Sequence, residues 1–164
     1  ASIGSRAYIG EDASIGDGAS IGSRAYIGSR AYIGSRASIG DGASIGDYAS
    51  IGYGASIGDG AYIGSRAYID SRASIGNGAS IGDGASIGNG ASIGNGAKPI
   101  IVQFIGTKHK VTYWGEDRID IGCQQKSIKD WQEQYLIIGE DQNYTQSEIT
   151  EYKQYIDFIA SIHK

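Results

Sequence analysis

The sequence is short of the residues that usually staple small proteins and of those that usually do chemistry. A single cysteine, Cys123, excludes a disulfide within the chain. Stability must therefore come from packing and backbone hydrogen bonds. Proline occurs once, at Pro99, and methionine not at all. Because the chain also opens at Ala1 in the middle of a repeating pattern, an expression tag or leader is expected to have been removed. Apolar runs are only a few residues long, against the roughly 20 needed to cross a bilayer, and no charged segment followed by an apolar stretch opens the chain. A soluble, unsecreted protein away from the membrane is expected, cytoplasmic on recombinant expression. The formal charge of -4 is modest and both signs are interspersed, so no basic stripe exists to track a nucleic acid. Histidine and threonine are absent from the first 96 residues; His109 and His163 are the two histidines. At 164 residues the chain has room for one core and an appendage, not for two enzymatic domains.

Glycine is what the sequence has in quantity, and its spacing is regular. Reading from Ala1, the blocks run ASIGSR, AYIGED, ASIGDG, ASIGSR, AYIGSR and onward to ASIGNG at Gly96, sixteen hexapeptides without a slip of register. Each begins with Ala and carries Ile third. Glycine is fourth in all but one block, where Asp70 stands. Ala and Ile, two apart around Ser or Tyr, have the period of a short strand with one buried face. The last three positions, Gly followed by pairs such as Asp-Gly, Ser-Arg or Asn-Gly, are turn chemistry expected to bend the chain through positive φ. Six residues cannot bury their own Ile, so the blocks must stack until the isoleucines form a column.

This pattern resembles the hexapeptide-repeat, left-handed parallel β-helix family, whose repeat has an aliphatic residue, a following glycine and a small residue two before the aliphatic. The resemblance covers residues 1 to about 97. It implies three hexapeptides per triangular coil and the left-handed crossover, an exception to the usual right-handed rule. The expected fold is thus an all-β solenoid, a left-handed parallel β-helix of about five triangular coils, roughly 25 Å tall at the usual strand spacing. Residues 98–164 would form a small C-terminal α+β cap.

With three blocks to a coil, residues eighteen apart become vertical neighbours. One face then carries Ser2, Ser20, Ser38, Ser56, Ser74 and Ser92, a flat small strip. Tyrosines decorate the other two faces through Tyr8, Tyr26, Tyr62, Tyr32 and Tyr68. At the corners, Arg30 is expected between Asp12 and Tyr48, and Tyr48 between Arg30 and Arg66, giving an ion pair and cation-π contacts of about 0.5 to 1 kcal/mol each. Asp41 and Asp59 become adjacent like charges, expected to repel mildly, with Asn77 and Asn95 continuing their column.

The repeat vocabulary stops at Lys98-Pro99. Residues 100–105 and 110–114 read as a hairpin, and 118–121 as a third strand. Ser127 opens a helical stripe of Ile128, Trp131, Tyr135 and Ile138, expected to end at Gly139. Thr145-Gln146-Ser147-Glu148 is a capping box before a second stripe of Ile149, Tyr152, Ile156 and Ile159. Such a segment could cover an open solenoid end.

The chemistry implied by the resemblance is acyl transfer from coenzyme A or another acyl carrier, with a catalytic histidine near a subunit interface and a loop protruding from a coil. The repeats here have neither histidine nor insertion, so that machinery does not carry over. His109 in a hairpin turn and His163 at the end have no motif beside them, and Cys123 is expected to be a small buried residue of the cap. Three scattered Cys and His residues do not make a zinc site, and glycine every sixth residue is punctuation, not a phosphate loop. No catalytic, cofactor-binding or metal site is therefore assigned, and no cofactor or small-molecule substrate is expected. The outward positions use a small alphabet, so residues 1–96 read as an idealised, consensus-style design and the protein as a non-enzymatic scaffold. Two alternatives stand beside it: a hexapeptide acyltransferase-like protein without its catalytic residues, and a recognition surface built on Tyr26, Tyr32, Tyr62 and Tyr68 with neighbouring arginines. For a homo-oligomer, two surfaces are available, the uncapped N-terminal coil and the serine face.

Overall fold

The alternation of Ala and Ile around a small or aromatic residue yields strands only two residues long, β1 to β16, recurring every six residues from Ser2–Ile3 to Ser92–Ile93. The computed structural model describes residues 1–115 and 117–163. The strands form three parallel sheets, ordered β1-β4-β7-β10-β13-β16, β2-β5-β8-β11-β14 and β3-β6-β9-β12-β15. Partners lie eighteen residues apart in the paired registers, as in Ser2 with Ser20 and Ile9 with Ile27. This is the stack of about five three-sided coils that the spacing implies.

Each rung is tied to the next by the same set of bonds. The N–H of the second position donates to the carbonyl of the next rung's alanine, as Ser20 to Ala37 at 2.9 Å, and the glycine N–H donates to that rung's isoleucine, as Gly22 to Ile39 at 2.7 Å. From Ala19 to Ile93 every repeat Ala and Ile is buried. An isoleucine taken out of water in this way contributes about 2 to 3 kcal/mol. In the first coil Ile3 remains 52% exposed.

The turns work differently from their sequence reading. Positive φ falls on the sixth position, and half of these positions are not glycine: Arg6, Asp12, Arg24, Arg30, Arg36, Tyr48, Arg66 and Arg72 all lie near +60°. At most fourth positions glycine is required instead by close approach, although Asp70 occupies one and a Cβ at Gly82 or Gly94 would meet nothing within 4 Å. A Cβ at Gly46 would lie 2.5 Å from the Ser65 backbone nitrogen, and one at Gly10 2.5 Å from that of Ser29. Backbone cannot yield there as a flexible side chain can.

Two units are separable, Ala1–Pro99 and Ile100–Lys164. In the second, β17 (Val102–Ile105), β18 (Lys110–Tyr113), β19 (Ile119–Ile121) and β20 (Gln124–Lys126) form an antiparallel meander. Helices α1 (Ile128–Asp141) and α2 (Gln146–Ile162) follow. Ile128 and Trp131 of α1 and Ile149, Tyr152, Ile156 and Ile159 of α2 are buried, as their spacing requires. The capping box at Thr145 and Glu148 is formed on both arms. Helix α1 does not stop at Gly139 but runs to Asp141, with Gln142 as its C-cap. Gly139 sits inside the helix because Ile149 packs against it: a Cβ there would come within 2.6 Å of the Ile149 side chain. Strand β20 has no counterpart in the sequence reading, since Gln124-Gln125-Lys126 carries no apolar alternation. Among the described residues, no helix is long and apolar enough to cross a membrane.

Candidate functional site

On the prism, the strands fix which side chains meet solvent, and the rungs fix their vertical neighbours. The six-serine face is unbroken along β1, β4, β7, β10, β13 and β16. Tyr26, Tyr32, Tyr62 and Tyr68 are exposed on the other two faces, at 44% to 50%. Tyr8 and Tyr26 stack with centroids 5.0 Å apart and planes within 8°. At the corner, Arg30 meets Asp12 at 3.5 Å and donates to the Tyr48 hydroxyl at 2.8 Å, its guanidinium 5.7 Å from the ring centre. Those bonds, the Tyr48 one first, raise the Arg30 pKa. Arg36 repeats the arrangement with Tyr53 at the same 2.8 Å and 5.7 Å. That pair escaped the column reading because it joins a sixth position to a fifth.

The fifth positions contain a further device. The N–H of Ser23 donates to Asp41 Oδ1 at 2.7 Å, Asp41 N–H to Asp59 Oδ1 at 2.8 Å, Asp59 N–H to Asn77 Oδ1 at 2.9 Å and Asn77 N–H to Asn95 Oδ1 at 2.8 Å. A second corner holds Ser29 to Asp47 and Ser65 to Asp83. The column of Asp41 and Asp59 is therefore a hydrogen-bonded ladder in which each carboxylate takes up an otherwise unmatched turn N–H, rather than a bare repulsive pair. The oxygen occupies the space that the preceding glycine leaves: a Cβ at Gly40 would stand 2.4 Å from Asp59 Oδ1.

The two histidines and the cysteine lie in the second unit. His109 is held by its backbone, whose N–H donates to the Tyr152 hydroxyl at 2.5 Å while its carbonyl accepts from that hydroxyl at 2.9 Å. Its ring packs against Gly122, where a Cβ would come within 3.0 Å. Tyr144 lies beside it with centroids 6.0 Å apart, and burial, then Tyr152 and Glu148, pushes the Tyr144 hydroxyl up to about 12. His109, Cys123, Tyr144 and Gln142 border a cavity of about 40 Å³ between the sheet and the two helices, room for one or two waters. Cys123 is exposed, not a buried filler, because it follows Gly122 at the turn between β19 and β20. His163 is apart from these, its Nδ1 2.9 Å from the Tyr113 hydroxyl. Among the described residues, the hydroxyl that meets an imidazole is that of Tyr113, and no serine, threonine or cysteine side chain stands at hydrogen-bond distance of either histidine ring.

A three-sided stack of hexapeptide coils defines the class of protein, and comparison with known families defines the member. A model of bacterial transferase hexapeptide repeats matches residues 1–35, 24–59 and 36–71, and a model of the hexapeptide repeat of succinyl-transferase matches 54–96. The chain belongs to the hexapeptide-repeat, left-handed parallel β-helix family. Similar solved structures include serine acetyltransferase isoform 3 from Entamoeba histolytica, 22% identical over 54% of this chain and 36% of that one, with a TM-score of 0.42. A GDP-perosamine N-acetyltransferase from Caulobacter crescentus, in complex with CoA and GDP-perosamine, is 18% identical over 71% of this chain and 58% of its own, TM-score 0.32. A hexapeptide transferase family protein from Anaplasma phagocytophilum is 14% identical over 92% and 87%, TM-score 0.36. The chain thus spans between about a third and three-fifths of the first two relatives. No curated protein matches it.

The family match overturns the reading of the chain as a designed, non-enzymatic scaffold. The family models that cover residues 1–96 describe the hexapeptide repeats of transferases. The small alphabet that suggested a design has a structural cause. Fourth positions such as Gly10 and Gly46 need glycine for close approach, and Asp or Asn at fifth positions such as Asp41 and Asn95 feeds an oxygen to a turn N–H.

Proposed function

We propose that the chain is the coil platform and C-terminal unit of an acyltransferase that draws its acyl group from coenzyme A or a related thioester carrier. The observation that carries this reading is the match of residues 1–96 to transferase repeat models. The geometry suits a donor laid along the prism. Backbone groups between interior rungs are spent on one another, so recognition falls to the outward side chains, which are fixed in register. Exposed tyrosines offer ring faces on which an adenine can stack, and corner arginines offer cations for phosphates. The rungs hold such groups rigidly, which lowers the ordering cost of binding. Acid-base work has to come from outside the repeats. Of the chain's imidazoles, His163 is engaged with Tyr113, and His109 borders a cavity too small for a thioester. The serine strip, flat and uncharged, is the surface on which copies of the chain would pack in a homo-oligomer.

The test is a calorimetric titration with acetyl-CoA, alongside an assay for released thiol with amine and hydroxyl acceptors. Saturable binding at or below millimolar concentration is expected. Absence of any binding heat up to several millimolar would overturn the reading.

A further inference from the structure

In six places a turn N–H at the fifth position of a block points at an acidic or amide oxygen supplied by the next rung. The same N–H in the first block belongs to Ser5, and the next rung presents Ser23 there, whose short hydroxymethyl group brings no carboxylate. Both blocks end in arginine. Among all three corner columns, this is the one place where Ser-Arg sits directly on Ser-Arg: the column reads Ser5-Arg6, Ser23-Arg24, Asp41-Gly42, Asp59-Gly60, Asn77-Gly78, Asn95-Gly96. Elsewhere an arginine's rung neighbours are acidic, tyrosine or glycine. Arg30 and Arg36 already spend their guanidiniums on Tyr48 and Tyr53.

We propose that this corner is an anion socket for a phosphoryl group. Ser5, Arg6, Ser23, Arg24, Asp41 and Gly42 line one open depression of about 690 Å³. An oxygen of the anion takes the place that an Asp or Asn Oδ1 takes in those six places, accepting from the Ser5 N–H. Arg6 and Arg24, one rung apart, flank it from the sixth positions, and the Ser23 hydroxyl supplies a further donor. Two like charges stacked at rung spacing repel each other, and a dianion between them removes that cost while gaining charge-assisted, bidentate contacts. Asp41 bounds the socket on the far side. Its Oδ1 is committed to the Ser23 N–H at 2.7 Å, and its charge keeps the affinity modest. This inference rests on the corner geometry alone and stands or falls separately from the acyl-transfer reading.

The experiment is a ¹H–¹⁵N correlation titration of the full chain with inorganic phosphate at constant ionic strength, and in parallel with glycerol 3-phosphate. The expected result is a saturable shift of the Ser5 amide with half-saturation at low millimolar concentration, and little change at Ser29 or Ser65, whose N–H groups are occupied. A response to the ester as strong as to the free anion assigns the socket to the terminal phosphoryl of a larger molecule, and a response to the free anion alone assigns it to phosphate itself. The decisive variant is Ser23→Asp, which installs the carboxylate that other rungs carry and so keeps the fold. It is expected to weaken phosphate binding by about tenfold or more. Arg24→Gly, also a residue that other blocks carry at this position, should weaken it about threefold to tenfold. A Ser5 amide that does not respond saturably, or a response untouched by Ser23→Asp, would overturn the proposal.

Discussion

At the residue scale, the hexapeptide divides its conformational burden between two positions that look alike in the sequence. A fourth-position glycine such as Gly46 has no room for a Cβ, whereas the sixth position has room and needs positive φ. Gly46→Ala drives a methyl toward the Ser65 nitrogen, which a Cβ there would approach to 2.5 Å. It is expected to cost more than about 2 kcal/mol in urea unfolding. Arg66→Gly does the reverse. Arg66 has φ +58°, and relieving a left-handed L-residue should gain about 0.5 to 1 kcal/mol after glycine's own entropy is counted. Equal effects from the two changes would refute the division. The sequence shows the glycine at both kinds of position, but periodicity carries no information on what a missing Cβ would have touched. For the same reason it reveals the Asp41, Asp59, Asn77 and Asn95 column yet not its role as acceptor, because that role depends on where a turn N–H points.

At the element scale, strands of two residues have no stability of their own and live on the rungs beside them. Ile45→Ala, in a rung with neighbours on both sides and 0% exposure, should cost about 3 to 4 kcal/mol, against about 1 kcal/mol or less for Ile3→Ala at the open first coil. The second unit is held in part by carboxylates. Hydrogen bonds from Thr145, with Lys108 beside it, hold the Glu148 carboxyl below its ordinary value, and bonds from Thr107 and Tyr155 do the same for Glu151. A lowered carboxylate pKa contributes stability above the ordinary value of 4.5 that is lost as the pH falls through the lowered one. Asp120 runs the other way: burial raises it despite Arg118 and Gln125, so its protonation relieves a cost. Both tryptophans, Trp114 and Trp131, belong to this unit, so their fluorescence reports its melting. The melting temperature should fall between about pH 5 and pH 3, and Glu151→Gln should flatten that fall. An unchanged slope would remove Glu151 from the account. Helices α1 and α2 were legible from their apolar stripes and the capping box. Strand β20 was not, because a polar edge strand is specified by its neighbour β19 and by Gln125 reaching Asp120 at 3.3 Å.

At the scale of the whole molecule, the fold was written in the sequence far more plainly than the function. Sixteen blocks in one register determine the coils, the faces and the vertical neighbours. What such a platform binds depends on side chains spread over several rungs, and these make no contiguous motif. The absence of histidine from the repeats therefore says nothing about what the rungs hold. A catalytic group need not lie on the rungs that hold the donor. The central claim is that those rungs do hold one. Hydrogen exchange followed by mass spectrometry, with and without acetyl-CoA, tests it directly. The account expects slowed exchange in turn peptides within residues 1–96, and the contrary result is no protection anywhere in the coils, or protection confined to residues 100–163.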